Sequence, residues 1–150
     1  MRENLVKGPV LLVVYSFSCR AVSLMLSTLS QGPQLDLASK NLRGVVFVAP
    51  SKNKTTPKEE VKFEATPDQE RDWAQSYGAI PKKLCGIPMH FVVGAKSTSA
   101  LRSWTRSLVE ALAAKEFTTY YHKIPNVSGT LAGAEDQLTG IVQNIITAVL

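Results

Sequence analysis

The sequence predicts an α/β domain of three layers, with a mostly parallel sheet of about four strands and helices on both faces. Short apolar, β-branched runs alternate with amphipathic stretches along the chain. Strands that alternate with helices in this way form parallel sheets through right-handed crossovers. No sequence period repeats, which argues against a solenoid. A chain of 150 residues is long enough for one domain with its own core, so we treat residues 1–150 as a single domain.

The first predicted unit is a strand over 9–16 followed by a helix over 19–30. The strand is apolar on both faces, which is typical of a central parallel strand covered by helices. Gly32 and Pro33 end the helix, because glycine is favoured just after a helix and proline cannot continue it. The following residues, 34–42, are polar and predict a loop or a short turn.

The second unit begins with an apolar strand over 43–50. The composition then changes to lysine, threonine, glutamate and proline, which predicts a polar surface excursion over 51–65. Thr66 is placed to cap a new helix, with Pro67 at its first helical position. This helix is expected to end at Gly78.

The second half of the chain repeats the alternation. We predict a strand over 87–94, a helix over 99–115 with apolar residues at helical spacing, a strand over 117–124 and a last helix from about 132 to the C-terminus. The mixed polar content of the fourth strand predicts that it lies at a sheet edge. The wide apolar stripe of the last helix predicts that this helix is well buried.

Charge and cysteine content limit the classes of partner and compartment. The formal charge of +5 permits an acidic partner such as RNA. The positive charges are scattered, however, without the basic run and interleaved aromatics of a nucleic-acid interface. No apolar run approaches the ~20 residues of a membrane span. Cys19 and Cys85 have no metal-ligand or redox spacing, so we expect two reduced thiols in an intracellular compartment, the cytosol or an organelle matrix.

Ser16 occupies the turn between the first strand and its helix, which is where a nucleophile elbow would place a catalytic serine. The glycines that relieve such a turn are missing, because the G-x-S-x-G frame reads V-Y-S-F-S over residues 14–18. His90 and His122 lie within predicted strands and have no ligand partner at i+2 or i+4. We therefore expect them to pack rather than to bind a metal. No glycine-rich phosphate loop is present, so no cofactor is expected.

Other chemistry-bearing residues have ordinary structural interpretations. Lys52 and Lys96 follow strand ends, where ligands bind in open α/β sheets, but we read them as solvated loop lysines. Trp73 and Trp104 have helical neighbours and are interpreted as core residues.

Taken in order, three motifs resemble the C-terminal half of an α/β-hydrolase, closest to the small dienelactone-hydrolase-like members with an S-x-G-x-R elbow. That elbow reads S-F-S-C-R over residues 16–20. The stretch 87–97 resembles the family strand that ends in G-x-x-D and delivers the acid. The stretch 121–130 resembles the final strand and loop that deliver the histidine. The resemblance covers nearly the whole chain but only about the second half of such a domain.

The resemblance implies a catalytically degenerate site. Ser16 falls at the nucleophile position, Ser97 at the acid position and Gly129 at the histidine position. A serine hydroxyl needs a base, and the base needs an acid to orient it, so the loss of both removes most triad catalysis. The missing upstream half would also supply one of the two oxyanion-hole amides.

The favoured function is therefore a non-catalytic α/β-hydrolase-like domain that serves as a structural or interaction subunit of a larger assembly. The alternative is an esterase-like serine hydrolase that uses Ser16 and an unrecognised base. A third hypothesis is a flavodoxin-like small-ligand binder with a pocket lined by Ser16, Pro50, Lys96 and Asn126. A fourth is an RNA–protein particle component that contacts phosphates.

The resembled fold also predicts a partner. There, earlier strands pair along the outer edge of the strand that corresponds to residues 10–16, and this sequence begins at that strand. A long apolar edge promotes aggregation unless it is covered. We therefore expect a protein partner, a second copy or a removed N-terminal segment to lie along residues 10–16.

Overall fold

The computed structural model describes residues 8–15, 18–29, 33–50, 77–97, 99–129 and 131–149. The elements in chain order are β1 (Val10–Tyr15), α1 (Ser18–Thr28), α2 (Pro33–Asn41), β2 (Leu42–Val48), a short 3-10 helix (Lys82–Leu84), β3 (Met89–Gly94), α3 (Ser99–Ala114), β4 (Thr119–Ile124) and α4 (Glu135–Val149). The four strands and the helices α1, α3 and α4 lie where the sequence predicts them, whereas α2 stands in place of a predicted loop.

The four strands form one sheet in the order β1-β2-β3-β4, and every neighbouring pair is parallel. This confirms the predicted parallel sheet and the edge position of the fourth strand. Because the strand order advances in one direction, right-handed crossovers place the described connecting helices α1, α2 and α3 on the same face of the sheet. The helix that follows β4 then lies on the opposite face, which makes the three predicted layers.

The first face carries the larger core. Side chains of α1, α2 and α3 pack there on Val45 and Phe47 of β2 and on Met89 and Phe91 of β3. The rings of Phe47 and Phe91 stack with centroids 4.9 Å apart, and Tyr77 meets Phe47 edge-on at 5.4 Å. Offset and edge-on ring pairs add to the stabilisation from burial.

The second face is covered mainly by α4. Ile145 of this helix packs with Val46, Val48 and Val92 of the two central strands. The neighbouring Ile146 is 39% exposed, so the prediction of a well-buried last helix is wrong. The apolar stripe of α4 is wider than the surface by which α4 contacts the sheet. This single helix covers the middle of the second face and leaves the sides of that face exposed.

The first strand is also less covered than its composition predicts. Val13 and Tyr15 point to the second face and are 44% and 48% exposed. The strand lies at the edge of the sheet, and α4 packs on β2 rather than over β1. Among the described residues, no strand pairs with the outer edge of β1.

The predicted loop over 34–42 is wrong, because Pro33–Asn41 forms α2. Proline suits the first position of a helix, where its missing N–H is not needed. Asp36 in the first turn and Lys40 in the last turn complement the helix dipole. Leu35 is buried in the first-face core, so tertiary packing stabilises a helix whose composition is mostly polar.

Two predictions lie outside the described residues: the polar excursion over 51–65 and the helix that begins at Thr66 and Pro67. Its predicted end is described, and Tyr77 and Gly78 are helical. Within the described ranges, no helix combines the length and the apolar character that crossing a membrane requires.

Candidate functional site

The candidate site lies where the parallel strands end, which is the usual ligand-binding edge of an open α/β sheet. β1 ends at Tyr15 and α1 begins at Ser18. The strand and helix on either side of the predicted elbow are therefore present. Ser16 itself lies outside the described residues.

The structure brings the predicted acid and histidine positions together. Ser97 is 6% exposed. A Cβ atom built on Gly129 would lie 3.4 Å from the Cβ of Ser97. The two positions are neighbours, as the resemblance requires, but neither carries a carboxylate or an imidazole. This pair of residues cannot orient a base or accept a proton from a serine hydroxyl.

Ser97 instead stabilises the turn that follows β3. Its hydroxyl donates a hydrogen bond to the Gly94 carbonyl at 2.7 Å, and its backbone N–H donates to the same oxygen at 3.0 Å. Nη1 of Arg102 donates to the carbonyls of Ala95 and Ser97 at 2.5 and 2.6 Å. These polar groups are engaged in holding the turn.

The same turn is joined to the loop that follows β4. The backbone N–H of Ala95 donates to Ile124 O and that of Lys96 to Val127 O, both at 2.8 Å. Gly94 is essential to this close approach, because a Cβ there would meet Ser128 O at 2.1 Å. The turn after β3 and the loop after β4 correspond to the loops that deliver the acid and the histidine in the resembled family. Here backbone hydrogen bonds and close packing at Gly94 hold them together, and we call this contact the joint.

Both histidines of the sequence are described, and they contact each other. Nδ1 of His90 lies 3.0 Å from Nε2 of His122. Burial, followed by the neighbouring His122, lowers the pKa of His90 to about 4, and burial also lowers the pKa of His122. Both rings are therefore neutral at pH 7, when one N–H donates to the lone pair of the other ring. The His90 ring also stacks on Tyr120, with centroids 4.7 Å apart.

This pair is remote from the end of β1. Tyr15 pairs with Val48, Val48 with Val92, and Val92 with His122. Three strand spacings therefore separate Tyr15 from His122, which is about 14 Å. His90 lies one strand nearer, but its Nδ1 faces His122. Neither imidazole is placed to act as the base for a serine that directly follows β1.

The sequence interpretation treated the histidines separately and missed their contact. The contact depends on the register of β3 against β4, which the sequence pattern alone does not give. The His90–His122 pair offers two nitrogen ligands, which is fewer than the three or four protein ligands of a typical zinc site. In the part of the chain that is described, no group of three or more histidine, cysteine, aspartate or glutamate side chains is arranged to hold a metal ion.

Cys19 lies in the first turn of α1, where it is buried and its thiol is free. Its Sγ lies 3.5 Å from Val14 O and 3.6 Å from Val48 O. Burial raises the pKa of this thiol to about 12. Cys19 is therefore protonated at neutral pH and unsuited to nucleophilic attack. Cys85 is also free and is half-buried.

The other predicted site residues do not come together in a cavity. Lys96 and Asn126 are exposed, whereas Pro50 is buried. Lys52 and Trp73 lie outside the described residues. Trp104 meets the ring of Tyr77 edge-on at 6.5 Å, in agreement with a core role.

A cavity of about 270 Å³ lies beside Trp104 and Leu108, with a mostly apolar lining, and none of the four residues of the flavodoxin-like hypothesis lines it.

A second cavity, which the sequence interpretation missed, lies between α3 and β4. We call it the α3–β4 cleft. Its volume is about 130 Å³, and it is lined by Ser99, Arg102, Ser103, Arg106, Tyr121 and Lys123. The helix residues recur at spacings of three and four, which places them on one face. That spacing was the available signal, but the opposing strand residues could not be assigned without the packing of α3 on β4.

Comparisons with known proteins show the fold alone. No protein-family model and no curated protein matches the chain. Among solved structures, the chain is similar to the Thermus thermophilus protein TT1662, with a TM-score of 0.52 and 14% identity over 91% of this chain and 54% of that one. It is also similar to an inhibited esterase B from Lactobacillus rhamnosis, with a TM-score of 0.52 and 12% identity over 93% of this chain and 53% of that one. The chain thus has an α/β-hydrolase-like fold and spans about half the length of these two structures.

Proposed function

We propose that the chain is a non-catalytic α/β-hydrolase-like domain that acts as a structural or interaction subunit of a larger assembly. The observation that carries this proposal is the closeness of Ser97 and Gly129, since a Cβ built on Gly129 would lie 3.4 Å from the Cβ of Ser97. The fold brings the acid and histidine positions together, yet the groups present there can neither orient nor act as a general base.

The placement of the two histidines supports the same conclusion. A serine hydrolase needs a base within hydrogen-bond reach of its nucleophile. His90 and His122 are directed at each other, and His122 lies about 14 Å from the end of β1 by strand spacing. Arg102 and the Ser97 hydroxyl hold the loops in place, so the polar groups nearest the candidate site serve structure.

The exposed edge of the sheet supports the interaction role. β1 has no charged residue between Val10 and Tyr15, and no described strand lies along its outer edge. Val13 and Tyr15 add exposed apolar area beside that edge. An edge with backbone donors and acceptors and apolar side chains is suited to strand addition. We propose that a second polypeptide, either another protein or a copy of this chain, pairs there.

Two free cysteines, one of them deeply buried, support the further proposal of a reducing compartment.

The alternative is an esterase-like hydrolase with Ser16 as nucleophile. It is favoured by the strand and helix on either side of Ser16 and by the similarity to a structure described as an esterase. Because a fluorophosphonate probe labels only an activated serine, it separates the two functions. We expect no labelling of the native protein that depends on Ser16, since neither histidine is placed to activate a serine that follows β1.

The measurement is mass spectrometry of the probe adduct on native protein and on Ser16→Ala, with an active serine esterase as positive control. Circular dichroism confirms that both chains are folded. A specific adduct on the native chain that disappears in Ser16→Ala would overturn the non-catalytic proposal in favour of the hydrolase.

The interaction role is tested by Val13→Lys, which places a charge on the edge strand and opposes strand addition. Leu37→Lys is the matched control, because Leu37 is also exposed but lies on α2. We expect native mass spectrometry of the chain, isolated from the cells that naturally make it, to give an assembly. Val13→Lys should release a monomer, and Leu37→Lys should not. A monomer for the native chain, or an assembly that Val13→Lys leaves intact, would contradict docking along β1.

A further inference from the structure

The α3–β4 cleft combines a formed cavity with a one-sided set of charges. Its volume of about 130 Å³ equals the liquid volume of about four water molecules. Three of its six lining residues are basic: Arg102, Arg106 and Lys123. Ser99, Ser103 and Tyr121 carry hydroxyl groups, and none of the described lining residues carries a carboxylate. Like charges gathered in one cleft repel one another unless an anion enters it.

Two of the cationic groups are held in place by contacts that leave their charge uncompensated. Nη1 of Arg102 is anchored to the carbonyls of Ala95 and Ser97, which are neutral acceptors. The guanidinium of Arg106 lies over the Tyr121 ring, 5.6 Å from its centroid. A cation on an aromatic face keeps its charge while its position is restricted. The cleft is therefore partly organised before any ligand arrives.

We propose that the α3–β4 cleft binds a dianionic phosphate group, either free phosphate or a phosphomonoester. Guanidinium forks and hydroxyl donors match the several acceptor oxygens of a compact tetrahedral anion. The first turn of α3 begins at Ser99, so the positive end of the helix dipole adds to the attraction. Six residues from two elements carry this inference together, and it stands whether or not the domain is catalytic.

The same contacts disfavour a single-stranded nucleic acid as ligand. Nucleic-acid grooves combine a basic track with aromatic faces on which bases stack. Here the face of Tyr121 is occupied by Arg106, and the charges converge on one cleft. The chemistry therefore favours one phosphate group over a row of phosphodiesters.

Isothermal titration calorimetry at pH 7.5 and low salt tests the site with three probes: inorganic phosphate, phenyl phosphate and a single-stranded RNA without terminal phosphates. We expect saturable binding of one phosphate group per chain. Arg106→Gln and Lys123→Gln should each weaken binding about ten-fold, because each removes a charge-assisted contact. Both side chains are exposed, so circular dichroism should show unchanged folding.

Lys40→Gln is the matched control for net charge, since Lys40 is exposed on α2. It should leave the affinity within about two-fold of the native value, because Lys40 lies on a different helix and does not line the cleft. Glu110 lies one turn beyond Arg106 on α3 and outside the cleft lining. Glu110→Gln removes a competing negative charge and should strengthen binding by about two-fold.

The probes distinguish the sources of the phosphate. Binding of phenyl phosphate at least as tight as that of inorganic phosphate indicates a monoester ligand, whereas binding of inorganic phosphate alone indicates free phosphate. Either result supports the proposed site if Arg106→Gln and Lys123→Gln weaken the binding. Lack of saturation by both phosphates up to about 10 mM would overturn the proposal. So would equal weakening by Lys40→Gln, or binding of the RNA alone.

Discussion

Phe47→Ala is expected to destabilise the domain by about 3–5 kcal/mol, which is the cost of truncating a buried aromatic residue. Phe47 is fully buried in the central strand β2 and contacts the rings of Phe91 and Tyr77. Its loss leaves a cavity between the sheet and the helices of the first face. It also removes the ring pairs that add about 0.5–1.5 kcal/mol beyond burial.

Urea unfolding followed by circular dichroism measures this effect. Leu37→Ala is the control, because Leu37 is 52% exposed and its truncation should change the free energy of unfolding by less than about 0.5 kcal/mol. Phe47→Leu keeps most of the volume and should fall between the two variants. A loss below about 1 kcal/mol for Phe47→Ala would mean that the first-face core is not packed as described.

Gly94→Ala is expected to cost more than about 3 kcal/mol or to prevent folding, which makes it as damaging as a core truncation. The new Cβ would lie 2.1 Å from Ser128 O and 2.6 Å from Val127 O. Both obstacles are backbone atoms, so no side chain can move aside. Relief requires separating the end of β3 from the β4–α4 loop, which breaks the hydrogen bonds from Ala95 and Lys96 across the joint.

Gly140→Ala provides the control within the same chain. Gly140 lies inside α4, and a Cβ built there meets nothing within 4 Å. Alanine in a helix interior is favoured over glycine by about 0.5–1 kcal/mol, so this variant should be more stable than the native protein. The two glycine substitutions should therefore shift the thermal midpoint in opposite directions. Similar midpoints would show that the two loops are not in the close contact described.

The joint at Gly94 also supports the proposal that the domain is non-catalytic. Ser97 and Gly129 meet there, and hydrogen bonds commit the surrounding polar groups to the turn. A catalytic site needs groups that can exchange protons with a substrate. This joint has carbonyls, a buried hydroxyl and an anchored guanidinium, which stabilise two loops against each other.

Local sequence patterns determined the strands, the long α3 helix and the position of β4 at the edge. Alternation of apolar runs and the steric preferences of β-branched residues act within a few neighbouring residues, so they can be read without knowing the fold. The resemblance to the hydrolase motifs also assigned Ser97 to the acid position and Gly129 to the histidine position, and these two residues lie close together in the structure. The helix α2 was not predicted, because its own sequence is mostly polar. It is stabilised by packing on the first-face core, whose residues come from distant parts of the chain.

Only the tertiary structure decided which side chains meet across elements. The contact between His90 and His122 depends on the register of β3 against β4, and the α3–β4 cleft depends on which face of α3 packs on the sheet. The exposure of Val13, Tyr15 and Ile146 depends on how far a single helix reaches across the second face. Register, helix rotation and coverage are set by non-local packing of the whole chain, and no short stretch of sequence contains them.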